Sequence, residues 1–235
     1  MRVGILGSGL MGGKLGTIFA RAGHEVRFSY SRDDAKLKKL ARGAGGNARA
    51  GNPAEAVAGA DAVVLAVHWT RVDDVLQQAG SLSGKTLITC SMPMSADDSR
   101  MVIGLTTSGA EALAAKMPRA HVVSAFSTAP SEVLLPVFNG RRRANRPDMV
   151  YCGDNAAAKR KAARLIRDTG FHPVDLGELK AARNVEPFVL LIAGLAYDRP
   201  GGPRIAYRFD RMARERGRTV QEIAAVEETV LAKRG

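Results

Sequence analysis

Near its N-terminus the chain reads G-S-G-L-M-G, with glycines at positions 7, 9 and 12. Glycines at this spacing act through the side chain they lack. The first permits a tight turn, the second lets backbone N–H groups approach a bound anion, and the third lets a helix pack closely on a strand. The segment Gly7, Ser8, Gly9, Leu10, Met11 and Gly12 follows the apolar run "RVGIL" (2–6) and opens an amphipathic run over 10–22. A strand leading into a helix start gathers free N–H donors and the positive end of the helix dipole at the loop, the setting in which this spacing holds a pyrophosphate.

The choice between dinucleotides is written one strand later, in "RFSYSRDDAK", residues 27–36. A site for the ribose hydroxyls of NAD ends its second strand on Asp or Glu. Here the strand ends on Phe28, Ser29, Tyr30, Ser31 and Arg32. A carboxylate there would repel a ribose phosphate, whereas a hydroxyl and a guanidinium bind one through charge-assisted hydrogen bonds. Lys36 lies one helical turn beyond Arg32, on the same face and within reach of the same anion. The residues favour NADP(H) over NAD. They also fit a helix start, because Ser31 and Asp34 make an S-x-x-D capping box, with Asp33 as the alternative cap. Both readings hold if Ser31 caps while its hydroxyl and Arg32 face the phosphate, and Asp33 and Asp34 turn into the first helical turn.

His24, His68, His121 and His172 show no ligand spacing, so no metal is expected. Three of these histidines stand at strand starts, where structural roles are expected. His68 is the candidate catalytic or ring-contacting residue, because it lies at the carboxyl end of a strand, where open α/β sheets build their sites. Its alternative is a solvent-exposed strand-end side chain. Cys90 and Cys152 lie in strand-like surroundings and read as buried, reduced thiols, which favours a cytoplasmic location.

Short runs rich in Val, Ile and Ala alternate with amphipathic ones, the pattern of βα units around a parallel sheet. Strands are expected at 2–6, 24–30, 47–50, 61–69, 85–92 and 120–127. Helices are expected at 10–22, 33–41, from Pro53, at 72–79 and up to Lys116, with a looser stretch over 93–109. Residues 136–147, rich in Gly, Pro and Arg, read as a surface loop at a domain boundary. A strand in "DMVYCGD", a helix over 156–168 and a strand in "HPVDLG" follow. From Leu179 the chain reads as mostly helical, broken at 198–203, with an amphipathic terminal helix from Thr219. The expected fold class is α/β: a Rossmann doubly wound, mostly parallel sheet over 1–135, with a small α+β or helical C-terminal domain over 136–235 that carries a basic helical tail.

The chain has a net charge of +12 and a pI near 10.2, with arginines grouped at 141, 142, 143 and 146 and again at 204, 208, 211, 214, 216 and 218. No zinc-finger spacing or paired aromatic strand motif accompanies them, so nucleic acid is not the expected partner. A basic surface also suits an enzyme of polyanionic small molecules. The apolar stretch before the first glycines is too short for a signal peptide. The longest apolar run, 185–197, carries Glu186 and Pro187 and falls short of the roughly 20 residues of a spanning helix, so no membrane partner is expected. That run can serve as core or as the surface of a homodimer.

The motifs "MRVGILGSGLMG", "SYSRD", "AVVLAVHW", "VVSAFSTAPSEVL", "YCGDN", "TGFHPVDLGEL" and "ARNVEPFVLLIAGLAY", in this order, resemble the NADPH-dependent reductases of coenzyme F-420, an 8-hydroxy-5-deazaflavin. That family is similar in fold to the cytosolic domains of the transmembrane ferric reductases. The resemblance covers about residues 1–209, and the tail from Asp210 is additional. It implies hydride transfer between NADPH and the deazaflavin or a related flavin, a small-molecule redox substrate, in a cleft between the two domains. By position, Gly9, Leu10, Met11 and Gly12 hold the pyrophosphate, and Ser31, Arg32 and Lys36 the ribose phosphate. Val67, His68 and Trp69 line the nicotinamide, and Phe126, Ser127 and Thr128 lie beside the reacting rings. The chain departs from the family at His68, where members commonly carry proline, and at Ser127, where they often carry Asn or His. The phosphodiester and glutamate tail of coenzyme F-420 gives Arg141, Arg142, Arg143 and Arg146 a steering role. The competing readings are an imine or 3-hydroxyacid NADP reductase, against which the late strands count, and an NADP-binding redox sensor without turnover.

Overall fold

The structure, a computed structural model, describes residues 1–31, 33–210 and 212. Arg32, Arg211, Arg214, Arg216, Arg218 and the terminal helix expected from Thr219 lie outside the described residues. The strands are β1 (Arg2–Leu6), β2 (Glu25–Ser29), β3 (Asn47–Ala50), β4 (Ala62–Leu65), β5 (Thr86–Thr89), β6 (His121–Ala125), β7 (Asp148–Gly153) and β8 (His172–Asp175). They form one eight-stranded sheet in the order β3-β2-β1-β4-β5-β6-β7-β8. Every pairing is parallel except β6 with β7. β4 and β5 are buried along their whole length, as strands covered on both faces must be.

The α-helices are α1 (Leu10–Arg21), α2 (Asp34–Ala44), α3 (Pro53–Val57), α4 (Val72–Ala79), α5 (Gly109–Lys116), α6 (Ser131–Asn139), α7 (Ala156–Asp168) and α8 (Ala182–Tyr197). One face of the sheet buries α1, α2, α6 and α7 around Leu15, Ile18, Phe19, Phe28, Leu134 and Ile166. The other buries α3, α4, α5 and the start of α8 around Leu65, Val75, Leu82 and Leu113. Each such side chain contributes about 1.5–3 kcal/mol by leaving water. The strand order reverses between β1 and β4, so a crevice opens at their carboxyl ends, where doubly wound sheets bind ligands.

The structure trims several expected strands at this edge. The strand expected over 61–69 ends at Leu65, and Trp69–Arg71 forms a 3₁₀ turn. Those expected over 24–30 and 120–127 end at Ser29 and Ala125, because Tyr30 and Phe126 take positive φ, 59° and 69°. The loop expected over 136–147 begins later, since α6 runs through Pro136 to Asn139. Val133, Leu134 and Phe138 bury one face of that helix and offset the hydrogen bond that proline removes. β7 and β8, assigned from sequence to a C-terminal domain, extend the same sheet, with α7 packed over it. Among the described residues, no helix is long and apolar enough to cross a membrane.

Candidate active site

The crevice is built from the glycine loop upward. Gly7 follows β1 with φ +106°, and a Cβ there would lie 2.4 Å from the Ala66 carbonyl oxygen. A Cβ on Gly12 would lie 1.9 Å from the Gly7 carbonyl oxygen, so the turn and the helix can close only over glycines. Gly9 is different, for a Cβ there would meet no protein atom within 4 Å. It is the N-cap of α1, with no side-chain cap and no acidic residue in the first turn. The first N–H groups of the helix and its positive end are therefore left to a ligand. Ser8 donates instead to the Ser29 carbonyl at 2.9 Å.

Above the loop lies a cavity of about 750 Å³. Ser31, Asp34 and Lys38 line one end, and Val67, His68 and Arg71 the other. Tyr30 closes its wall and donates its hydroxyl to the Asp74 carboxylate. That bond, with help from Gln78 and Arg71, holds the Asp74 carboxyl below its ordinary range. A second cavity, about 510 Å³, meets the first at Ala66, Val67 and His68. Its walls are apolar and rich in sulfur, with Met11, Cys90, Met92 and Met94 on one side and Ile192 and Tyr197 of α8 on another. A third, about 390 Å³, holds Lys36 with Ser8, Gly9, Lys14 and Ser31.

The helix start after β2 differs from the expected capping box. Asp33, not Ser31, caps α2 by accepting from the Lys36 backbone N–H at 3.0 Å. The Ser31 hydroxyl exchanges bonds with the Asp33 backbone, accepting from its N–H at 3.2 Å and donating to its carbonyl at 3.1 Å. Asp34 does not turn away; it lines the first cavity.

Among the sequence candidates, the structure brings Gly7, Ser8, Gly9, Ser31, Val67 and His68 to the first cavity, and Leu10, Met11, Val67, His68 and Ser127 to the second. Gly12 supports the loop from beneath. Three candidates lie elsewhere. Trp69 packs half-buried against the cluster under α3, α4 and α5. The positive φ of Phe126 directs it into the core, edge-on to Phe19 at 6.1 Å. Thr128 is buried and pairs with the Tyr207 hydroxyl at 2.7 Å. Sequence reasoning missed Tyr30, Lys38, Arg71, Met92, Met94, Asp98 and the inner face of α8, which only tertiary folding gathers.

His68 stands on the wall common to both main cavities. Its Nδ1 lies 2.8 Å from Thr70 Oγ1 and its Nε2 3.0 Å from Asp98 Oδ1. Cys90, expected to be buried, is half-buried on the cavity wall, and loss of water around its thiol pushes it up to about 12 and keeps it protonated. No group of three or more His, Cys, Asp or Glu side chains among the described residues could hold a metal ion.

Fold and cavities together define a dinucleotide-binding α/β protein of the doubly wound class. Residues 2–93 match the family model described as "NADP oxidoreductase coenzyme F-420-dependent". The chain is 31% identical over 189 residues to the metalloreductase STEAP3 of Rattus norvegicus, a match covering 80% of this chain and 36% of the relative. The chain thus spans about a third of the length of the curated relative it matches. An Arthrobacter sp. FB24 protein proposed to be an F-420-dependent NADP-reductase superposes with a TM-score of 0.79 at 24% identity, over 90% of this chain and 100% of that one. A hypothetical protein of Sinorhizobium meliloti gives 0.64 at 26%, over 89% and 96%. A reductive aminase of Aspergillus terreus in complex with NADPH gives 0.61 at 19%, over 83% and 61%.

Proposed function

We propose that the chain is an NADP(H)-dependent oxidoreductase that transfers a hydride between NADPH and a second conjugated ring, the deazaflavin of coenzyme F-420 or a related flavin. The observation that carries this reading is the junction at Ala66, Val67 and His68, where a groove over an uncapped helix N-terminus opens into an apolar, sulfur-lined chamber. When bound, the nicotinamide supplies the hydride; the protein supplies orientation and exclusion of water. Backbone N–H groups at Gly9, Leu10, Met11 and Gly12 take the pyrophosphate, and Ser31, Arg32 and Lys36 the ribose phosphate. Val67 and His68, which line both cavities, would hold the reacting end. Met11, Met92 and Met94 are polarizable and adaptable, which suits the face of a planar ring.

The match of residues 2–93 to a model of NADP oxidoreductases supports the reaction class. The named activity of the rat relative adds ferric chelates to the acceptors worth testing. Imine or 3-hydroxyacid reduction is the weaker alternative, because β7 and β8 occupy the part of the chain where those enzymes are expected to continue as helices alone. The test is NADPH oxidation by the purified protein against the deazaflavin, FMN, FAD and ferric chelates. Turnover with the deazaflavin or a flavin is expected. Silence toward all of them sinks the proposal, and tight NADP(H) binding with that silence would favour a redox sensor.

A further inference from the structure

We propose that Tyr207 is a positioning residue for the second substrate. From behind the second cavity it holds two of its walls, α8 and the loop between β6 and α6, at the spacing the acceptor ring requires; this rests on the acceptor's occupying that cavity.

The chain reaches this place by a turn. After α8 ends at Tyr197, Gly201 and Gly202 take positive φ, +108° and +72°, and residues 203–209 return across the start of β7. Pro203, Ile205 and Tyr207 are half-buried while Arg204, Ala206 and Arg208 are exposed, the alternation of an extended segment with one face inward. Two hydrogen bonds fix its register. The Asp148 N–H donates to the Tyr207 carbonyl at 2.8 Å, and the Phe209 N–H donates to the buried Asp148 carboxylate at 2.6 Å.

Tyr207 then reaches both walls. Its hydroxyl accepts from the Val150 N–H at 3.2 Å and lies 2.7 Å from Thr128 Oγ1. Every donor is used when Tyr207 donates to Thr128 and Thr128 donates to Met149 Sδ, 3.5 Å away. Burial raises the phenol above its ordinary range, so the proton of that bond stays in place. The Tyr207 ring meets Phe188 of α8 edge-on, with centroids 5.1 Å apart. Thr128 and Phe188 do not line the cavity, but their neighbours do: Ser127 and Ala129 on one wall, Val189 and then Ile192 on the other. Among the described residues, side-chain hydrogen bonds tie α8 to the rest of the protein at Arg183, Glu186 and Tyr197. Between them its cavity-lining middle is held by packing, in which the Phe188–Tyr207 pair takes part. A wall misplaced by about 1 Å can cost about 100-fold in rate, so a residue that touches no substrate can still decide how the acceptor sits.

The experiment pairs steady-state kinetics on the full chain, with the deazaflavin and FMN as acceptors, with methyl NMR of the unliganded protein. Tyr207→Phe keeps the ring and removes the hydroxyl. It should raise the KM for the acceptor about fivefold, the worth of a buried hydrogen bond, while the Kd for NADPH stays within about twofold. Thr128→Val should do the same, and the double variant should be no worse than either alone, because both break one bond. In Tyr207→Phe the methyl signals of Ile192 and Ala129, on the second cavity, should move, and that of Ala50, on the first, should not. An unchanged acceptor KM, an equal weakening of NADPH, or losses that add in the double variant overturns the proposal, and so do unmoved Ile192 and Ala129 signals. A wild type inert toward every acceptor overturns the functional reading and the acceptor's part in the proposal; the methyl signals then decide on their own whether Tyr207 sets the walls.

Discussion

Ser31 shows how one side chain can satisfy a spacing rule and still act differently. Its hydroxyl is held by the Asp33 backbone, Asp33 caps α2, and Asp34 reaches the cavity wall beside Ser31 and Lys38. A capping box is inferred from types and spacing, whereas the residue that caps is fixed by one ψ angle, to which the sequence is blind. The proposed ribose-phosphate site then holds cations, Arg32 and Lys36, against a carboxylate, Asp34. Replacing Ser31 and Arg32 together by alanine should weaken NADPH binding at least tenfold more than NADH binding, as removal of a charge-assisted pair requires (about 1.5–3 kcal/mol). Asp34→Asn should act in the opposite sense and shift preference toward NADPH by several-fold. Fluorescence titration with both nucleotides measures each effect; equal losses for NADPH and NADH would return the stretch to a helix start alone.

The N-terminus of α5 depends on α8, and this coupling gives a prediction about stability. Glu186, buried on α8, accepts the N–H groups of Gly109 and Ala110 at 2.9 and 3.0 Å, while Ser108 caps and Glu111 pairs with Arg183 at 2.6 Å. Glu186→Ala leaves two buried donors unsatisfied and should destabilise the fold by about 2–4 kcal/mol in urea. Burial raises the Glu186 carboxyl above its ordinary value, and the two N–H bonds only partly oppose this. The folded chain therefore binds more protons than the unfolded chain between the ordinary and the raised value, and stability falls as pH rises through that window. Wild type measured against Glu186→Gln should lose relative stability from the ordinary carboxylate range upward; a flat difference would refute the burial effect. β1, β4 and β6 were legible because their buried apolar runs are nearly continuous. Not legible were the antiparallel turn of β7, which depends on where the chain returns after α6, and the reach of α6 through Pro136. The same limit explains the site. The glycine loop is local and was read residue by residue, whereas the second cavity draws on Met11, Met92, Asp98, Ser127 and Tyr197, whose meeting no spacing records.

Across the molecule, a net charge of +12 bears on how ligands arrive rather than on how the chain folds. The basic stretch after α6 divides in the structure. Arg141 is committed, with its guanidinium 4.1 Å over the Phe138 ring and a bond to the Phe138 carbonyl at 2.9 Å. Arg146 lines a small pocket with Asp148, His172 and Arg208. Arg142 and Arg143 are exposed, and among the described residues no hydrogen bond or ion pair ties either side chain, although the Arg143 backbone N–H donates to the Gly140 carbonyl at 2.9 Å. They are the pair available to steer a polyanion. A deazaflavin with a phosphodiester and glutamate tail would feel them over about a Debye length, roughly 8–10 Å at moderate salt. Arg142→Glu with Arg143→Glu should therefore raise the KM for the deazaflavin several-fold at low salt. The effect should fade as ionic strength rises, while kcat and the KM for NADPH stay nearly constant. Substituting Arg141 instead should cost stability, through its lost packing on Phe138, before it changes that KM. Steady-state kinetics across a salt series decides the matter: an equal rise for both substrates, or a rise insensitive to salt, would mean that the two arginines belong to a solvated face and take no part in capture.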